Sequence, residues 1–476
     1  GTLTQCFSLG ASLVPRSAVE ERTADTMLRS AVRRAATVAA LAASRSPRES
    51  LSSRASPILP PPAAATKTLR FYAAGGLDDP LPQQEQQRQV AQQLIQYAIG
   101  LARSQRSADS YSQALLVLEQ GLSNLRAGGG EGSDDAVGML LIAISTLLHE
   151  RGEVNDAMEK LRMVHQLDHC SLGARVAAWE GLVGLNLEAE QDTASSVLAD
   201  ECLQLLRSRR EENTPTSNVL NLRGKAIKGL VDLVIGDLKT AELNFGECED
   251  CESMEGKYRC GNLALSCGEF LHATGNVSLA KDFYERALQI SETEDSSEFS
   301  SLTAANMVPD EVSLGATCAL GQLLMHSGEF QGAEEFLTKA LNKAEVIFGS
   351  NHPKVGVVLT CIAMMFGHKA KIERSSSLLI QEGLYRRAMD YLKAPVLDDD
   401  DADVYLLVHR RDIIALARGG YAEILRVQPN RKEEGERMSK SAENTWRNRR
   451  ISLTQALEMS EPAKAAIVDT RISRVL

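Results

Sequence analysis

The stretch LGQLLMHSGEFQGAEEFLTKAL, residues 320–341, decides the fold because small residues recur in it at helical spacing. Gly321 precedes Gly328 by seven residues, and Ala333 and Ala340 follow Gly321 by twelve and nineteen residues. A glycine at 321 allows a second helix to approach the first, and Gly328 ends the first helix. Ala333 and Ala340 share one face of the second helix. The stretch therefore predicts two antiparallel helices packed through small residues.

Two upstream stretches repeat the same offsets. They comprise Gly229, Gly236, Ala241 and Cys248 in one copy, and Gly268, Gly275, Ala280 and Ala287 in the other. Weaker copies occur around Tyr111, Gly152, Trp179 and Gly383. Units that repeat in this way predict an all-α superhelical solenoid of about seven helical hairpins between residues 88 and 420. The predicted packing residues are Gly229, Ala241, Gly268, Ala280, Gly321, Ala333 and Ala340.

This pattern resembles the tetratricopeptide repeat, a family whose stacked hairpins bind other proteins on their concave face. The anchor alanines (114, 157, 194, 241, 280, 333 and 388) lie 37 to 55 residues apart, whereas the family period is about 34. Long loops are therefore expected, notably at residues 292–310 and around residues 397–401. Residues 348–355 and 359–363 also resemble the phrase that joins two repeats in kinesin light chains, with Cys361 where that branch usually has Asn. No coiled-coil heptads precede the repeats, so motor attachment is not expected.

The first 72 residues differ in charge from the rest of the chain. They carry a net charge of +6, whereas the remaining residues carry about −17. After Met27, Arg29 and Arg33 lie together on an amphipathic helix, and Glu49 is the only acid before Asp78. This composition resembles a plant organellar transit peptide. We expect residues 1–72 to be leader and disordered transit peptide, with no function assigned to residues 1–26, and residues 73–87 to be a linker.

The sequence Arg70-Phe71-Tyr72-Ala73 resembles the site that the mitochondrial processing peptidase cuts in plant precursors. Cleavage there predicts a mature N-terminus at Ala73 and a location in the mitochondrial matrix. The serine content of the presequence is also compatible with a chloroplast. A disordered tail without a targeting function is the other alternative.

Composition disfavours several classes of function. A net charge near −17 beyond residue 72 opposes binding to a phosphate backbone, so nucleic acid is not an expected partner. Nine scattered cysteines indicate a reducing compartment. The sequence has no uncharged run of the roughly 18 apolar residues that a membrane span requires. It also has no phosphate-binding loop or nucleophile elbow, so no cofactor or small-molecule substrate is predicted.

Four cysteines could supply thiolates to a zinc ion: Cys248, Cys251, Cys260 and Cys267. Their intervals lack the paired form of a zinc ribbon. Cys248 and Cys267 also fall on packing positions of the predicted helices. No metal site is therefore predicted.

Residues 436–441, ERMSKS, resemble the KMSKS loop with which class I aminoacyl-tRNA synthetases hold ATP. Those enzymes also carry a His-x-Gly-His type of motif on a nucleotide-binding fold, and neither precedes this segment. We expect a solvated helix end here and no enzymatic activity. An ATP-using enzyme that depends on Lys440 is the alternative.

Two further regions are candidates for partner contacts. Lys225 and Lys228, on a predicted first helix, should face the concave groove and hold an acidic peptide, although a purely solvating role is the alternative. Asp232 follows one turn later, where chaperone-tail clamps of this family carry Asn, so that ligand is not expected. Residues 421–476 are predicted to be a capping helix and tail, in which Trp446 and its neighbouring arginines could instead anchor a partner.

The sequence therefore predicts a non-catalytic scaffold or assembly factor in mitochondria, which binds proteins on the concave face of residues 88–420. The first alternative is a helical-repeat protein that binds RNA. The second is the ATP-using enzyme.

Overall fold

The computed structural model describes residues 82–127, 133–208, 215–246, 260–293, 302–374, 377–395, 409–458 and 465–476. These residues form seventeen α-helices, two short 3-10 helices and one two-stranded antiparallel sheet. Several predictions fall outside them: the presequence with Arg70, Tyr72 and Ala73, the pair Cys248 and Cys251, and the acidic run at 397–401.

The helices alternate with short turns along the chain. The first eight are α1 Gln83–Gln105, α2 Ala108–Ala127, α3 Asp134–Glu150, α4 Val154–His165, α5 Leu172–Glu188, α6 Asp192–Ser208, α7 Pro215–Ile235 and α8 Leu238–Phe245. The next eight are α9 Gly261–Ala273, α10 Val277–Glu292, α11 Pro309–His326, α12 Phe330–Phe348, α13 Pro353–Glu373, α14 Leu378–Leu392, α15 Arg411–Arg426 and α16 Lys432–Thr445. The short helix α17 Leu453–Glu458 and strands β1 Val468–Asp469 and β2 Arg474–Val475 follow.

Each odd-numbered helix from α1 to α15 packs against the helix that follows it, which gives eight helical hairpins within the described residues. The all-α solenoid is as predicted, with one hairpin more. The additional hairpin is α15 with α16, so the boundary drawn at residue 420 lies inside a helix. In this hairpin the close approach is made by Gly435 of the second helix, whose Cβ would lie 3.1 Å from the Ala422 carbonyl oxygen. The glycine pattern of the other repeats therefore did not reveal it.

Each hairpin consists of a first helix, which is odd-numbered, and a second helix, which is even-numbered. In three hairpins a glycine of the first helix lies where a large side chain of the second helix approaches. A Cβ at Gly321 would lie 2.7 Å from Leu337 Cγ. Gly229 and Gly268 stand in the same way against Phe245 and Tyr284. The alanines at 241, 280, 333 and 340 are fully buried. At these sites, any larger side chain would have to displace a neighbour.

The hairpins form two layers that differ in burial. In α11, fifteen of eighteen residues are buried, whereas only six of nineteen are buried in α12. Helix α13 is long and apolar enough to cross a membrane, but 67% of its most apolar window is buried inside the protein. An inner layer of first helices is therefore enclosed by an outer layer of amphipathic second helices.

Two segments distant in sequence cover the inner layer from the other side. Residues 302–308 lie within the predicted loop at 292–310 and contain a buried 3-10 helix, Ala305–Met307. The Ala305 N–H donates to Thr146 Oγ1 of α3 at 3.0 Å. Residues 465–476 are buried along their entire length. Apolar first helices are thus covered on both sides.

Candidate functional site

Residues 465–476, AAIVDTRISRVL, are called the channel segment below, and the space that they occupy between α5, α9, α11, α13 and α15 is called the inner channel. The segment forms a narrow hairpin in which Val468 pairs with Val475 and Asp469 with Arg474. Ser473 in the turn has a positive φ of 53°. The Leu476 N–H donates to the Ile467 carbonyl at 2.8 Å, which closes the hairpin.

Side chains of the solenoid hold the backbone of the channel segment. The Gln322 amide of α11 accepts from the Val468 N–H at 2.7 Å and donates to the Val468 carbonyl at 2.9 Å. The Arg471 carbonyl accepts hydrogen bonds from Lys354 and Asn306. The Val475 carbonyl accepts one from Asn448, and the Leu476 carbonyl accepts one from Arg450. These contacts are made to the backbone of the hairpin, in its strands at Val468 and Val475 and in its turn at Arg471, and not to the side chains of the segment.

The Arg471 guanidinium occupies a fully buried polar pocket on α9. It donates to Glu269 Oε2 at 2.6 Å, to Ser266 Oγ at 3.1 Å and to Asn262 Oδ1 at 3.1 Å. It also bonds Asp469 within the segment, at 2.9 Å and 3.2 Å. Burial alone would lower the pKa of Arg471, but the carboxylates of Asp469 and Glu269 raise it. The pocket therefore matches a charged, planar donor.

A second arginine pocket lies where the end of α5 and the first residue of α6 face the start of α15. Arg474 Nη1 donates to Asp192 Oδ1 at 2.9 Å and to the Leu187 carbonyl at 3.0 Å. Its Nη2 donates to Asp192 Oδ2 at 3.3 Å, which makes the pairing bidentate. Asp412 Oδ2 lies 3.8 Å from Arg474 Nε. Residues three apart in the segment therefore fill two anionic pockets of the inner channel.

A buried ionic cluster connects the channel segment to the inner helices. Lys354 Nζ lies 2.5 Å from Glu311 Oε1, and Glu188 Oε2 lies 3.1 Å from His149 Nε2. Burial raises the pKa of Glu311 to about 7 against the opposing effect of Lys354. At Glu188 burial also acts to raise the pKa, but Lys354, His149 and Arg410 hold it well below its usual value. The cluster joins helices from four hairpins.

Ion pairs join α5 to α15, more than 200 residues apart in sequence. Arg410 Nη2 lies 3.3 Å from Glu188 Oε1. The Arg411 N–H donates to Glu190 Oε1 at 2.7 Å, and the Arg411 guanidinium pairs with the same carboxylate. We call these four residues the latch. Because the Arg474 pocket lies between the same two helices, the latch closes the inner channel beside it.

The predicted groove residues lie on α7. Lys228 Nζ lies 3.0 Å from Ser196 Oγ and 3.1 Å from Asp200 Oδ1, both on α6. Asp232 lies 3.5 Å from Lys228 and accepts from Asn244 Nδ2 of α8 at 3.0 Å. Lys225 is half-buried. Lys228 and Asp232 are therefore brought together on the side of the outer helices, and their contact with a partner stays a prediction.

The residues of the inner channel were missed by the sequence interpretation. One signal was available, because first helices such as 136–148 and 355–365 are apolar on every face, which is typical of helices enclosed on all sides. Isolated polar residues within such helices, including Glu269 and Gln322, then indicate buried partners. No sequence signal identified residues 465–476 as the cover.

The structure describes the segment that resembles the KMSKS loop and two of the four cysteines that were considered as zinc ligands. Residues 437–441 lie in the interior of α16 and not in a loop; Met438 is buried, and Ser441 Oγ accepts from Arg418 Nη1 at 2.8 Å. Cys260 precedes α9 and Cys267 is buried within it. Among the described residues, no group of three or more His, Cys, Asp or Glu is placed to hold a metal ion.

Residues 314–354 match the family model of the tetratricopeptide repeat. The match extends from α11 through α12 to the start of α13, and it contains Gly321, Ala333 and Ala340. This part of the chain therefore contains a tetratricopeptide-type unit, which lies within a larger series of helical hairpins. Among curated proteins, none matches this chain.

Two solved structures are similar to parts of the chain. The crystal structure of BtubC (BKLC) from P. vanneervenii is 12% identical, with a TM-score of 0.37 over 52% of this chain and 89% of BtubC. The crystal structure of yeast Tom70 is 11% identical, with a TM-score of 0.24 over 75% of this chain and 92% of Tom70. At these TM-scores, neither structure informs the arrangement of the repeats in this chain.

Proposed function

We propose that the protein is a non-catalytic scaffold that binds polypeptide segments of partner proteins in its inner channel, as an assembly or maintenance factor of the mitochondrial matrix. The observation that carries this proposal is the manner in which the channel segment is held. Gln322 bonds both backbone groups of Val468, and other side chains bond four further carbonyls of the segment, those of Ala465, Arg471, Val475 and Leu476. Such contacts hold backbone groups and do not require particular side chains at these positions.

RNA binding is less well supported. The chain beyond residue 72 carries a net charge of about −17. Arg223, Arg471 and Arg474 are buried and paired with Glu180, Glu269 and Asp192, so they do not face solvent phosphates. A salt-dependent shift of labelled RNA by the purified protein would favour the RNA alternative.

The scaffold proposal is tested by purifying the protein from isolated mitochondria after chemical crosslinking and sequencing the crosslinked peptides. We expect a partner protein to crosslink to residues that contact the channel segment, such as Asn448 or Arg450. Crosslinks confined to exposed positions of the outer helices, such as those around Leu243, would contradict binding in the channel.

The mitochondrial location is tested by sequencing the N-terminus of the native protein. We expect the mature chain to begin at Ala73, because Arg70 and Tyr72 stand before it as in plant mitochondrial precursors. Arg70→Ala should shift or slow this cleavage, whereas Lys67→Ala, three residues away, should not. A native chain that retains Arg29 and Arg33 would disprove the presequence.

A further inference from the structure

We propose that the inner channel selects partner segments with the pattern aliphatic-x-x-Arg-aliphatic-x-Arg-aliphatic, and that the channel segment is an internal occupant which such a partner replaces. The pattern is that of residues 468–475, VDTRISRV. This inference rests on the proposed function, since it names the class of polypeptide that the channel binds and a form of autoinhibition.

Three carboxylates of the inner channel have an arginine of the channel segment as their cationic partner. Glu269 of α9 is only 1% exposed, and its cationic partner is Arg471. Asp192 and Asp412 are paired with Arg474. In contrast, Glu188, Glu190 and Glu311 have cationic partners within the solenoid. Without the channel segment, three carboxylates would lose their cationic partner, so the empty channel would favour a ligand that supplies two cations.

Arginine fits these pockets better than lysine does. The Arg471 guanidinium bonds four side chains at once, and Arg474 bonds both oxygens of Asp192. A planar group with five donors can make these bonds, whereas a lysine ammonium has three donors on a single nitrogen. Because the two pockets are at fixed positions in the solenoid, a ligand that fills both must carry its arginines three residues apart, as Arg471 and Arg474 are.

The aliphatic side chains of the channel segment pack against two separate parts of the solenoid. Ile467, Ile472 and Leu476 belong to the hydrophobic cluster that is built on α7, α9 and α11. Val468 and Val475 belong to the cluster that is built on α13, α14 and α15. A ligand must therefore present aliphatic side chains in both directions, which excludes a basic but polar peptide.

The channel segment is an imperfect occupant. The hydroxyls of Thr470 and Ser473 are buried, and in the described structure neither has a hydrogen-bond partner for its Oγ. A buried polar atom without a partner destabilises the bound state. A partner with apolar side chains at these two positions would avoid that cost and compete successfully with the segment.

The latch provides the route of exchange. Arg410 and Arg411 are partly exposed, and the α5 and α15 ends that they join also form the Arg474 pocket. Separation of these ends would open one side of the inner channel to a partner. Release of the segment would then depend on the stability of the latch.

The proposal is tested on the complete chain with a protease site introduced within residues 459–464 and cut after folding, so that both pieces are retained. A fluorescent peptide with the sequence of residues 465–476 is added, and its binding is followed by anisotropy and gel filtration. We expect the cut piece to stay associated and then to be replaced by the labelled peptide. Matched peptides carry Arg471→Lys with Arg474→Lys, or Thr470→Val with Ser473→Ala.

The lysine peptide should bind at least about tenfold more weakly, and the peptide without hydroxyls should bind more tightly. Arg411→Glu in the chain should accelerate exchange, and Glu190→Arg in the same chain should restore the slow rate. Failure of the labelled peptide to exchange, while the cut chain stays helical, would overturn the proposal. So would unfolding on cleavage, or a dimer of the uncut chain that exchanges its segment between copies.

These outcomes are separable from those of the scaffold test. The labelled peptide could exchange with the expected preference for arginine while crosslinks in the organelle are found only on the outer helices. That result would retain the selectivity of the channel and reject the proposed function. Channel crosslinks to a partner that lacks two arginines would retain the function and reject the selectivity.

Discussion

Helices α11 and α12 belong to the same hairpin, are nearly equal in length and lie in opposite environments. In α12 the buried residues form one stripe that includes Ala333, Leu337 and Ala340, which local contacts with α11 and α13 can cover. In α11 burial extends around the helix and includes Glu311 and Gln322. The outer helix is thus stabilised mainly by its neighbours in sequence, whereas the inner helix also depends on residues 465–476.

This difference bears on where a partner can bind. In a solenoid with an open groove, the inner faces of the first helices are exposed to solvent and available to ligands. Here, the inner channel is filled, and its charged groups are satisfied by the channel segment. A partner therefore either competes with that segment or binds to the outer layer.

The largest predicted effect contrasts an inner ion pair with an outer one. Arg471→Ala leaves Glu269 and Asp469 buried without their cation, and should lower the free energy of unfolding by about 3–5 kcal/mol. Lys339→Ala removes the exposed pair with Glu335 on α12 and should change it by less than about 0.5 kcal/mol. Urea denaturation followed by circular dichroism measures both.

Similar losses for the two variants would contradict the division into layers. Arg471→Met gives a further comparison, because it retains much of the side-chain volume but not the charge. If Arg471→Met is as stable as the wild type, the ionic pocket does not contribute to folding.

Smaller changes in stability are predicted for substitutions at two glycines, Gly321 on the inner helix α11 and Gly383 on the outer helix α14. Gly321→Ala should destabilise the protein by about 1–3 kcal/mol, since the new Cβ would lie 2.7 Å from Leu337 Cγ and 3.1 Å from the Leu337 nitrogen. A Cβ at Gly383 on α14 meets nothing within 4 Å. Gly383→Ala should therefore stabilise the protein by about 0.5–1 kcal/mol. Thermal melting distinguishes the signs, and equal shifts would contradict the close packing at Gly321.

The hairpins were predictable because their determinants are local. Gly321 and Ala333 are close in sequence, and each marks a contact within one hairpin. The inner channel was not predictable in this way, because Arg471 contacts Glu269 about 200 residues earlier in the chain. The last hairpin was missed for a related reason, since Gly435 lies on its second helix and breaks the repeated pattern.

A pH-dependent effect is predicted for histidines near the ends of inner helices. His272 Nε2 lies 2.8 Å from His326 Nδ1, and His368 lies on the next inner helix. Burial lowers the pKa of His272 to about 3, that of His368 to about 3, and that of His326 well below its usual value. These side chains are therefore neutral at pH 7, and the inner layer should be sensitive to acid.

His368 gives the cleanest test, because leucine can replace it with similar volume. Its pKa is near 6.5 in the unfolded chain and about 3 in the folded protein, so the unfolded state binds the proton more readily. Its contribution to stability is fully present above pH 6.5 and is lost as the pH falls toward 3. From pH 7 to pH 5.5, the wild type should lose about 1 kcal/mol more than His368→Leu does. Leucine at the exposed outer residue His169 is the control; if His169→Leu and His368→Leu change the pH dependence equally, burial in the inner layer is not its cause.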